Sequence, residues 1–275
     1  MPSDKRQRQR ENSRARQEAL IAAQAKSKRR NQIISAVVIV AVVLGLLWKF
    51  GPLGGSDDDG TKVSTKSSTT TALRSTTSAK APAVGDPNTC PPASGTKKQF
   101  RSFPSAPKMC IDASKAYSAL VKTDVGDITI TFDAKQSPKT VNNFVFLARN
   151  KFFDGTIFHR VIPDFVDQGG DPLGTGQGGP GYQFEDEIPA NYKYKVGDIA
   201  MANSGPNTNG SQFFLVVSQN GADQLLAAVG GVAKYSPFGT ITDGLDVAKK
   251  INDDGSAAGT PTVEHHIVKV TITEE

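Results

Sequence analysis

The fold is decided within residues 157–171, which read IFHRVIPDFVDQGGD. The Pro-Asp pair at 163–164 is typical of a tight turn, and apolar residues flank it on both sides, so the stretch predicts a hairpin of two short strands. Arg160 and Gln168 stand among these apolar side chains. Because a buried cation or amide must be hydrogen-bonded, each has either a structural or a functional role, and this stretch alone favours the structural one.

A second stretch, residues 201–214, shifts that balance toward function. It reads MANSGPNTNGSQFF. In order and spacing, FHRVIP followed by QGGD, and MAN followed by TNGSQFF, resemble the cyclophilin family of peptidyl-prolyl cis-trans isomerases. The resemblance covers roughly Tyr117 to Thr273. It implies a mainly β fold, an eight-stranded antiparallel closed β-barrel capped by two α-helices.

Local patterns agree with a barrel built from short strands. Isoleucine, isoleucine and phenylalanine at positions 128, 130 and 132 alternate with threonine, which predicts a half-buried strand. Ser137 followed by Pro138 predicts the start of a helix, with Ser137 as its N-cap. A second helix is predicted over Leu245–Ile251. Many short strands with two helices and glycine-rich turns favour a closed barrel.

The resemblance also implies the site. Arg160 occupies the position of the family's catalytic arginine. By the same resemblance, the substrate-binding residues are Phe165, Val166 and Phe214 in a proline pocket, Gln168, Ala202 and Asn203 along the substrate backbone, and Gln212, Leu225 and Tyr235 at the edge of the groove.

The reaction that the resemblance implies needs neither a nucleophile nor a metal. Amide resonance imposes a barrier of about 18–20 kcal/mol on rotation about an X-Pro bond. A positioned guanidinium can donate to the nitrogen or the carbonyl oxygen of the twisted amide. The partners are then Pro-containing polypeptides, and no cofactor is expected. The alternative is a non-catalytic module or chaperone of the same fold that binds such peptides.

Several positions depart from the usual pattern of the family. Val166 stands where methionine is usual, and Asp167 stands where an apolar residue is common. The only tryptophan is Trp48, so the pocket lacks the indole that takes part in cyclosporin binding in the family. We therefore expect weak cyclosporin binding. The segment from Ala227 to Lys234 is longer than the usual loop, which leaves the correspondence of Leu225 and Tyr235 open by a few positions.

Two motifs point to other chemistry but lack what it needs. Residues 174–179 match the Gly-x-Gly-x-x-Gly pattern of nucleotide sites, yet no strand is predicted closely before them and no helix after them. His265 and His266 beside Glu264 suggest a metal site, but adjacent side chains of a strand point to opposite faces. We therefore expect neither a bound nucleotide nor a metal ion. Residues 174–179 are better interpreted as a glycine-rich loop that borders a binding groove.

The excess positive charge lies in the first 32 residues. They hold ten Lys or Arg and three acidic residues, a net charge of +7, whereas the whole chain carries +5. The high isoelectric point therefore belongs to this basic arm and gives no reason to expect that the folded domain binds nucleic acid. Besides the isomerase and the non-catalytic module, a third hypothesis is that the basic arm carries the function and that the barrel is only attached to it.

The run from Ile33 to Trp48 carries no charge and is almost entirely apolar. It predicts a transmembrane helix over residues 33–50. This length is near the lower end of the range of about 17–25 residues that spanning helices need. A cleaved signal peptide is the alternative, but the basic region before the run is long for one. The positive-inside rule places the N-terminus in the cytoplasm. We predict a single-pass cell-membrane protein whose isomerase domain, residues 117–275, lies outside the cytoplasm.

Between the span and the barrel lie a linker, residues 51–89, and an extension, residues 90–116. The linker is rich in Ser, Thr, Gly and Pro and poor in large apolar residues, so it is expected to be flexible. Cys90 and Cys110 are the only cysteines, and in this topology both lie where disulfides persist. We predict that they form a disulfide, the alternatives being two free thiols or a metal site.

Overall fold

The computed structural model describes residues 83–227 and 230–275. The predicted basic arm, transmembrane helix and nearly all of the linker lie outside the described residues, so they stay predictions. Among the helices that are described, none is both long and apolar enough to cross a membrane.

The described chain forms one antiparallel sheet and three helices. The sheet order is β3-β9-β1-β2-β8-β6-β7-β5-β4. The strands are β1 Tyr117–Thr123, β2 Asp127–Phe132, β3 Thr156–Ile157, β4 Arg160–Ile162, β5 Val166–Gly169, β6 Asp198–Met201, β7 Phe213–Val216, β8 Pro237–Asp243 and β9 His266–Glu274. The helices are α1 Pro138–Arg149, α2 Gln219–Ala227 and α3 Leu245–Asp253.

The expected eight-stranded closed barrel is wrong in strand number and in closure. The sheet is curled and has nine strands, and its hydrogen-bonded order ends at β3 and β4, which are not paired with each other in the described chain. The outer edge of β4 meets the loop between α3 and β9 instead. Val161 N donates to Gly259 O over 2.8 Å, and Ser256 N donates to Val161 O over 3.1 Å. A loop therefore satisfies the edge of the strand that carries Arg160.

Helix α2 was not predicted from the sequence, whose patterns indicated two helices. Its buried residues are Gly221, Ala222 and Leu225, so only two apolar side chains mark its inner face. A signal this short gives no clear helical period.

The main core lies between α1 and the sheet. Phe144 on α1 contacts aromatic rings on three strands, with centroid distances of 5.1 Å to Phe132, 5.6 Å to Phe213 and 5.6 Å to Phe238. All four rings are at most 7 % exposed. Because these strands are far apart in the chain, one helical side chain joins both halves of the sheet through apolar contact.

The first turn of α1 is stabilised from a distant loop. Ser137 is the N-cap residue, as predicted, but its hydroxyl makes no capping bond and donates to Pro237 O over 2.7 Å. The carboxylate of Glu187 accepts instead from Thr140 N over 2.8 Å and from Lys139 N over 3.1 Å. A negative group at this end satisfies free N–H groups and suits the helix dipole.

The extension that precedes β1 packs against α1. The predicted disulfide between Cys90 and Cys110 is present. Cys110 N donates to Asn142 Oδ1 on α1 over 2.6 Å. The ring of Phe103 is 1 % exposed and meets Phe146 of α1 edge-on, with 4.9 Å between centroids. The extension is thus part of the packed structure.

Candidate active site

The strand register brings the predicted polar and apolar residues to one face. Arg160 on β4 lies opposite Gln168 on β5, and Gln168 lies opposite Phe214 on β7. Phe214 in turn lies opposite Ala200 on β6. Since successive side chains of a strand alternate between faces, these residues share the face away from the main core.

A chain of hydrogen bonds starts at the catalytic candidate. Arg160 Nη1 donates to Gln168 Oε1 over 3.2 Å, and Gln168 Nε2 donates to Gln212 Oε1 over 2.9 Å. Gln212 Nε2 donates to the carbonyl oxygens of Gly178 over 2.8 Å and Gly176 over 3.1 Å. The side-chain amides of Gln168 and Gln212 each accept a hydrogen bond through Oε1 and donate one through Nε2, which fixes their orientation. The Arg160 guanidinium therefore has an acceptor in a fixed position.

A small apolar cluster lies beside the guanidinium. Val166, Phe214 and Leu225 are 2 %, 4 % and 5 % exposed, so they form its floor. The half-buried rings of Phe165 and Tyr235 pack against this floor, and Tyr235 meets Phe214 edge-on at 5.3 Å between centroids. This arrangement can hold a small apolar ring.

The guanidinium borders that cluster directly. Cζ of Arg160 lies 6.0 Å from the centroid of the Phe165 ring, within range of a cation–π contact. Behind the arginine, a Cβ on Gly259 would come within 3.3 Å of Arg160 Cγ, and Gly259 has φ of +91°. The loop therefore supports the aliphatic stem of Arg160 closely, at a position that favours glycine.

An open groove of ≈ 740 Å³ runs beside the apolar cluster. Four of the predicted residues line it, namely Gln168, Ala202, Asn203 and Gln212. Asn203 Nδ2 donates to Lys234 O over 3.0 Å, so its side chain is engaged within the protein. A role for Asn203 in holding a substrate would therefore involve its main chain.

The opposite wall of the groove is the glycine-rich segment 172–181, here named the wall loop. Asp171, which precedes it and is 1 % exposed, accepts backbone N–H groups of Leu173, Thr175, Gly176 and Gly178 at 2.6–3.1 Å. Burial alone would raise the pKa of Asp171, but these four donors hold the pKa below its ordinary value.

These four hydrogen bonds to Asp171 explain why residues 174–179 match the glycine pattern of nucleotide sites. A Cβ on Gly178 would lie 1.9 Å from Asp171 Oδ1, so only glycine lets the loop wrap the carboxylate. The loop encloses an acidic side chain of the protein itself, and it borders the groove, as predicted for residues 174–179. The adjacent Gly-Gly-Asp and the repeated glycines were the available signal.

His159 immediately precedes Arg160, the first residue of strand β4. Its ring lies next to the wall loop, because Nε2 would be 3.7 Å from a Cβ on Gly176. Burial lowers the pKa of His159 below its ordinary value, with the Asp171 charge opposing. Burial therefore favours the neutral form of the imidazole.

Asp167, the unexplained departure in the hairpin, has a partner on α3. It is fully buried, and Asn252 Nδ2 donates to its Oδ1 over 2.7 Å. The same Asn252 amide donates to Ile162 O over 2.9 Å and accepts from Asp164 N over 2.8 Å. Burial raises the pKa of Asp167 to about 7, with the Asn252 bond opposing and the charge of Asp253 adding.

The two adjacent histidines point apart, as their alternation predicts. His265 is 4 % exposed, with Nε2 at 2.9 Å from Asp254 Oδ2 and Nδ1 at 3.6 Å from Asp124 Oδ1. His266 is exposed and contacts Glu264. His265 therefore links two loops at opposite sides of its ring, an arrangement that does not converge on one ion.

Comparison with known proteins identifies the fold and its class of chemistry. The family model described as cyclophilin type peptidyl-prolyl cis-trans isomerase/CLD matches residues 119–272. Peptidyl-prolyl cis-trans isomerase-like 1 of Gibberella zeae is 40% identical over 162 residues, covering 57% of this chain and 94% of that protein. Peptidyl-prolyl cis-trans isomerase ppi1 of Schizosaccharomyces pombe is 44% identical over 135 residues, covering 48% and 82%.

Solved structures agree. The crystal structure of a cyclophilin type peptidyl-prolyl cis-trans isomerase from Cryptosporidium parvum matches with a TM-score of 0.51 and 32% identity, covering 58% of this chain and 99% of that one. The same protein in the presence of the dipeptide Ala-Pro matches equally well. The chain therefore belongs to the cyclophilin-type peptidyl-prolyl cis-trans isomerases and is an enzyme of that class.

Proposed function

We propose that this isomerase acts through Arg160 on X-Pro bonds of polypeptides exported across the membrane in which its N-terminal span is anchored. The observation that carries the mechanism is the position of the guanidinium, bonded to Gln168 and 6.0 Å from the centroid of the Phe165 ring. A fixed cation at the border of an apolar pocket suits an amide that twists beside a proline ring.

The chemistry follows from the electronic structure of the amide. When the X-Pro bond twists, the nitrogen regains its lone pair and the carbonyl loses conjugation. The Arg160 guanidinium donates a hydrogen bond to the atom where this electron density develops. The cluster of Phe165, Phe214 and Tyr235 holds the proline ring. No covalent bond breaks and no proton moves, so the reaction requires no nucleophile.

The glutamines prepare the arginine before the substrate arrives. Gln168 holds Arg160, and Gln212 holds Gln168 while the wall loop holds Gln212. Donors that are oriented in advance cost no reorganisation during the reaction, which is the main source of electrostatic catalysis.

Exported clients are supported by features outside the site. The basic arm and the apolar run from Ile33 to Trp48 predict a single span with the isomerase outside. The disulfide between Cys90 and Cys110 supports this placement, since disulfides persist outside the reducing cytoplasm. The linker would tether the enzyme where polypeptides emerge.

The mechanism is tested by measuring isomerisation of an Ala-Pro peptide by the full chain. We expect Arg160→Ala to lower kcat/KM by about 10²–10³-fold, the cost of losing one preorganised donor. Arg160→Lys, which keeps the charge but not the planar fork, should recover only part. Unchanged acceleration by Arg160→Ala would contradict the mechanism. Peptide binding without any acceleration by the wild-type chain would favour the non-catalytic module.

The placement is tested separately in cells that produce the full chain. We expect the protein in the membrane fraction after an alkaline wash, and digestion of its isomerase domain by protease added outside intact cells stripped of any wall. Recovery in the soluble fraction with a shortened N-terminus would instead support a cleaved signal peptide.

A further inference from the structure

Residues 99–103 of the extension run along the outer side of the wall loop. Arg101 Nη1 donates to Pro172 O over 3.2 Å, and its Nη2 donates to Asp154 O over 2.6 Å. Phe103 N donates to Pro180 O over 2.7 Å. Two residues of the extension therefore hold the two ends of the wall loop, although the family match begins only at residue 119.

The contact between the extension and the wall loop is close. A Cβ on Gly181 would lie 2.5 Å from Phe103 O, and Gly181 has φ of +98°, so the two main chains meet where only glycine fits. The Phe103 side chain is buried against Phe146 of α1. Phe103 therefore connects the wall loop to the main core.

The inner side of the same loop holds the catalytic network. The carbonyl oxygens of Gly176 and Gly178 accept from Gln212, which leads through Gln168 to Arg160. From Arg101 to Arg160, every step is a hydrogen bond or a few residues of main chain. A shift of the wall loop would change both the width of the groove and the orientation of Gln212.

We propose that Arg101 and Phe103 are positioning residues that keep the groove preformed for the polypeptide on either side of the proline. Neither residue lines the groove, and both act through the wall loop. A preformed groove avoids the ordering cost of binding. The Cys90–Cys110 disulfide closes the segment that carries both residues and so limits its freedom. This inference rests on the proposed function, since it assumes that the groove receives a Pro-containing chain.

The chain offers a matched control in Gln99. Its Nε2 donates to Lys151 O and Asp154 O, both over 2.8 Å. Like Arg101, Gln99 thus makes two side-chain bonds to main-chain carbonyls from the same segment, but neither bond reaches the wall loop. Gln99→Ala therefore measures the cost of loosening the extension alone, and Arg101→Ala adds the loss of the wall-loop contact.

The experiment measures affinity of the full chain for two probes, a blocked Ala-Pro dipeptide and an eight-residue alanine peptide with one central proline. We expect Arg101→Ala to weaken binding of the longer peptide about five-fold, as for one lost hydrogen bond, with dipeptide affinity unchanged. Gln99→Ala should leave both affinities unchanged. In Arg101→Ala only, amide hydrogen exchange at Gly176 and Gly178 should accelerate.

Three outcomes distinguish failure of the inference about Arg101 from failure of the proposed function. Equal weakening by Gln99→Ala and Arg101→Ala, or unchanged affinity of Arg101→Ala for the longer peptide, overturns the inference and leaves the proposed function intact. A wild-type chain that binds neither probe overturns the proposed function. Binding of both probes by the wild type, with loss confined to Arg101→Ala and the longer peptide, supports both.

Discussion

Arg160 and Gln168 face each other across the β4–β5 hairpin, and Arg160 Nη1 donates to Gln168 Oε1 over 3.2 Å. The pair is the point where the polar network of the groove meets the apolar cluster around Phe214. A guanidinium alone could adopt many rotamers, and the amide opposite it selects one.

Removing the amide should disorder the arginine without removing its charge. We expect Gln168→Ala to lower kcat/KM for an Ala-Pro peptide by about ten-fold, corresponding to one hydrogen bond to a charged group. Gln136→Ala, at an exposed glutamine that does not line the groove, is the control and should have little effect. Equal activities of the two variants would mean that Gln168 does not orient Arg160.

The buried carboxyl of Asp167 should make stability depend on pH. Its pKa rises from 3.8 to about 7 in the fold, so the folded state holds the proton more tightly than the unfolded state. The contribution of Asp167 to the free energy of unfolding is therefore fully present below pH 3.8, falls as the pH rises, and is lost above pH 7. The loss amounts to at most about 4 kcal/mol.

A variant that cannot ionise tests this dependence. Asp167→Asn should have a higher thermal midpoint than the wild type at pH 8, and the difference should shrink toward pH 5. Asp243→Asn, at an exposed carboxyl, serves as the control and should follow the wild type. A constant difference between Asp167→Asn and the wild type from pH 5 to pH 8 would show that Asp167 does not titrate there.

The disulfide should contribute to stability through the loop that it closes. Cys90 and Cys110 are 20 residues apart, which in the chain-entropy model corresponds to about 3 kcal/mol. The double variant with Ser at both positions should lose this much in urea unfolding, and reductant should destabilise only the wild type. Two reactive thiols in the untreated folded protein would contradict the pairing.

Phe103 should behave as a residue of the core although it precedes the first strand. Phe103→Ala removes a ring that is 1 % exposed, and we expect a loss of about 3–5 kcal/mol in the free energy of unfolding. Met109→Ala, in the same extension but at a side chain 51 % exposed, should cost far less. Similar losses in urea unfolding would mean that the extension packs only loosely on α1.

Features encoded within short stretches were predictable from the sequence. The hairpin around residues 163–164, the helix that starts at Pro138 and the motifs that contain Arg160 and Gln212 each depend on neighbours a few positions away. The cysteine pair was predictable because the chain offers only one pairing. In these cases the local chemistry allows few alternatives, so the pattern determines the element.

Only the tertiary structure decided the features that join distant segments. Asn252 meets Asp167 across 85 positions, and Arg101 meets Pro172 across 71. The extent of the sheet was decided in the same way, because a loop rather than a strand covers the edge of β4. The Asn252–Asp167 and Arg101–Pro172 hydrogen bonds produce no periodic pattern in the sequence. Each depends on a partner that only folding brings close, and a buried polar group is satisfied only by such a partner.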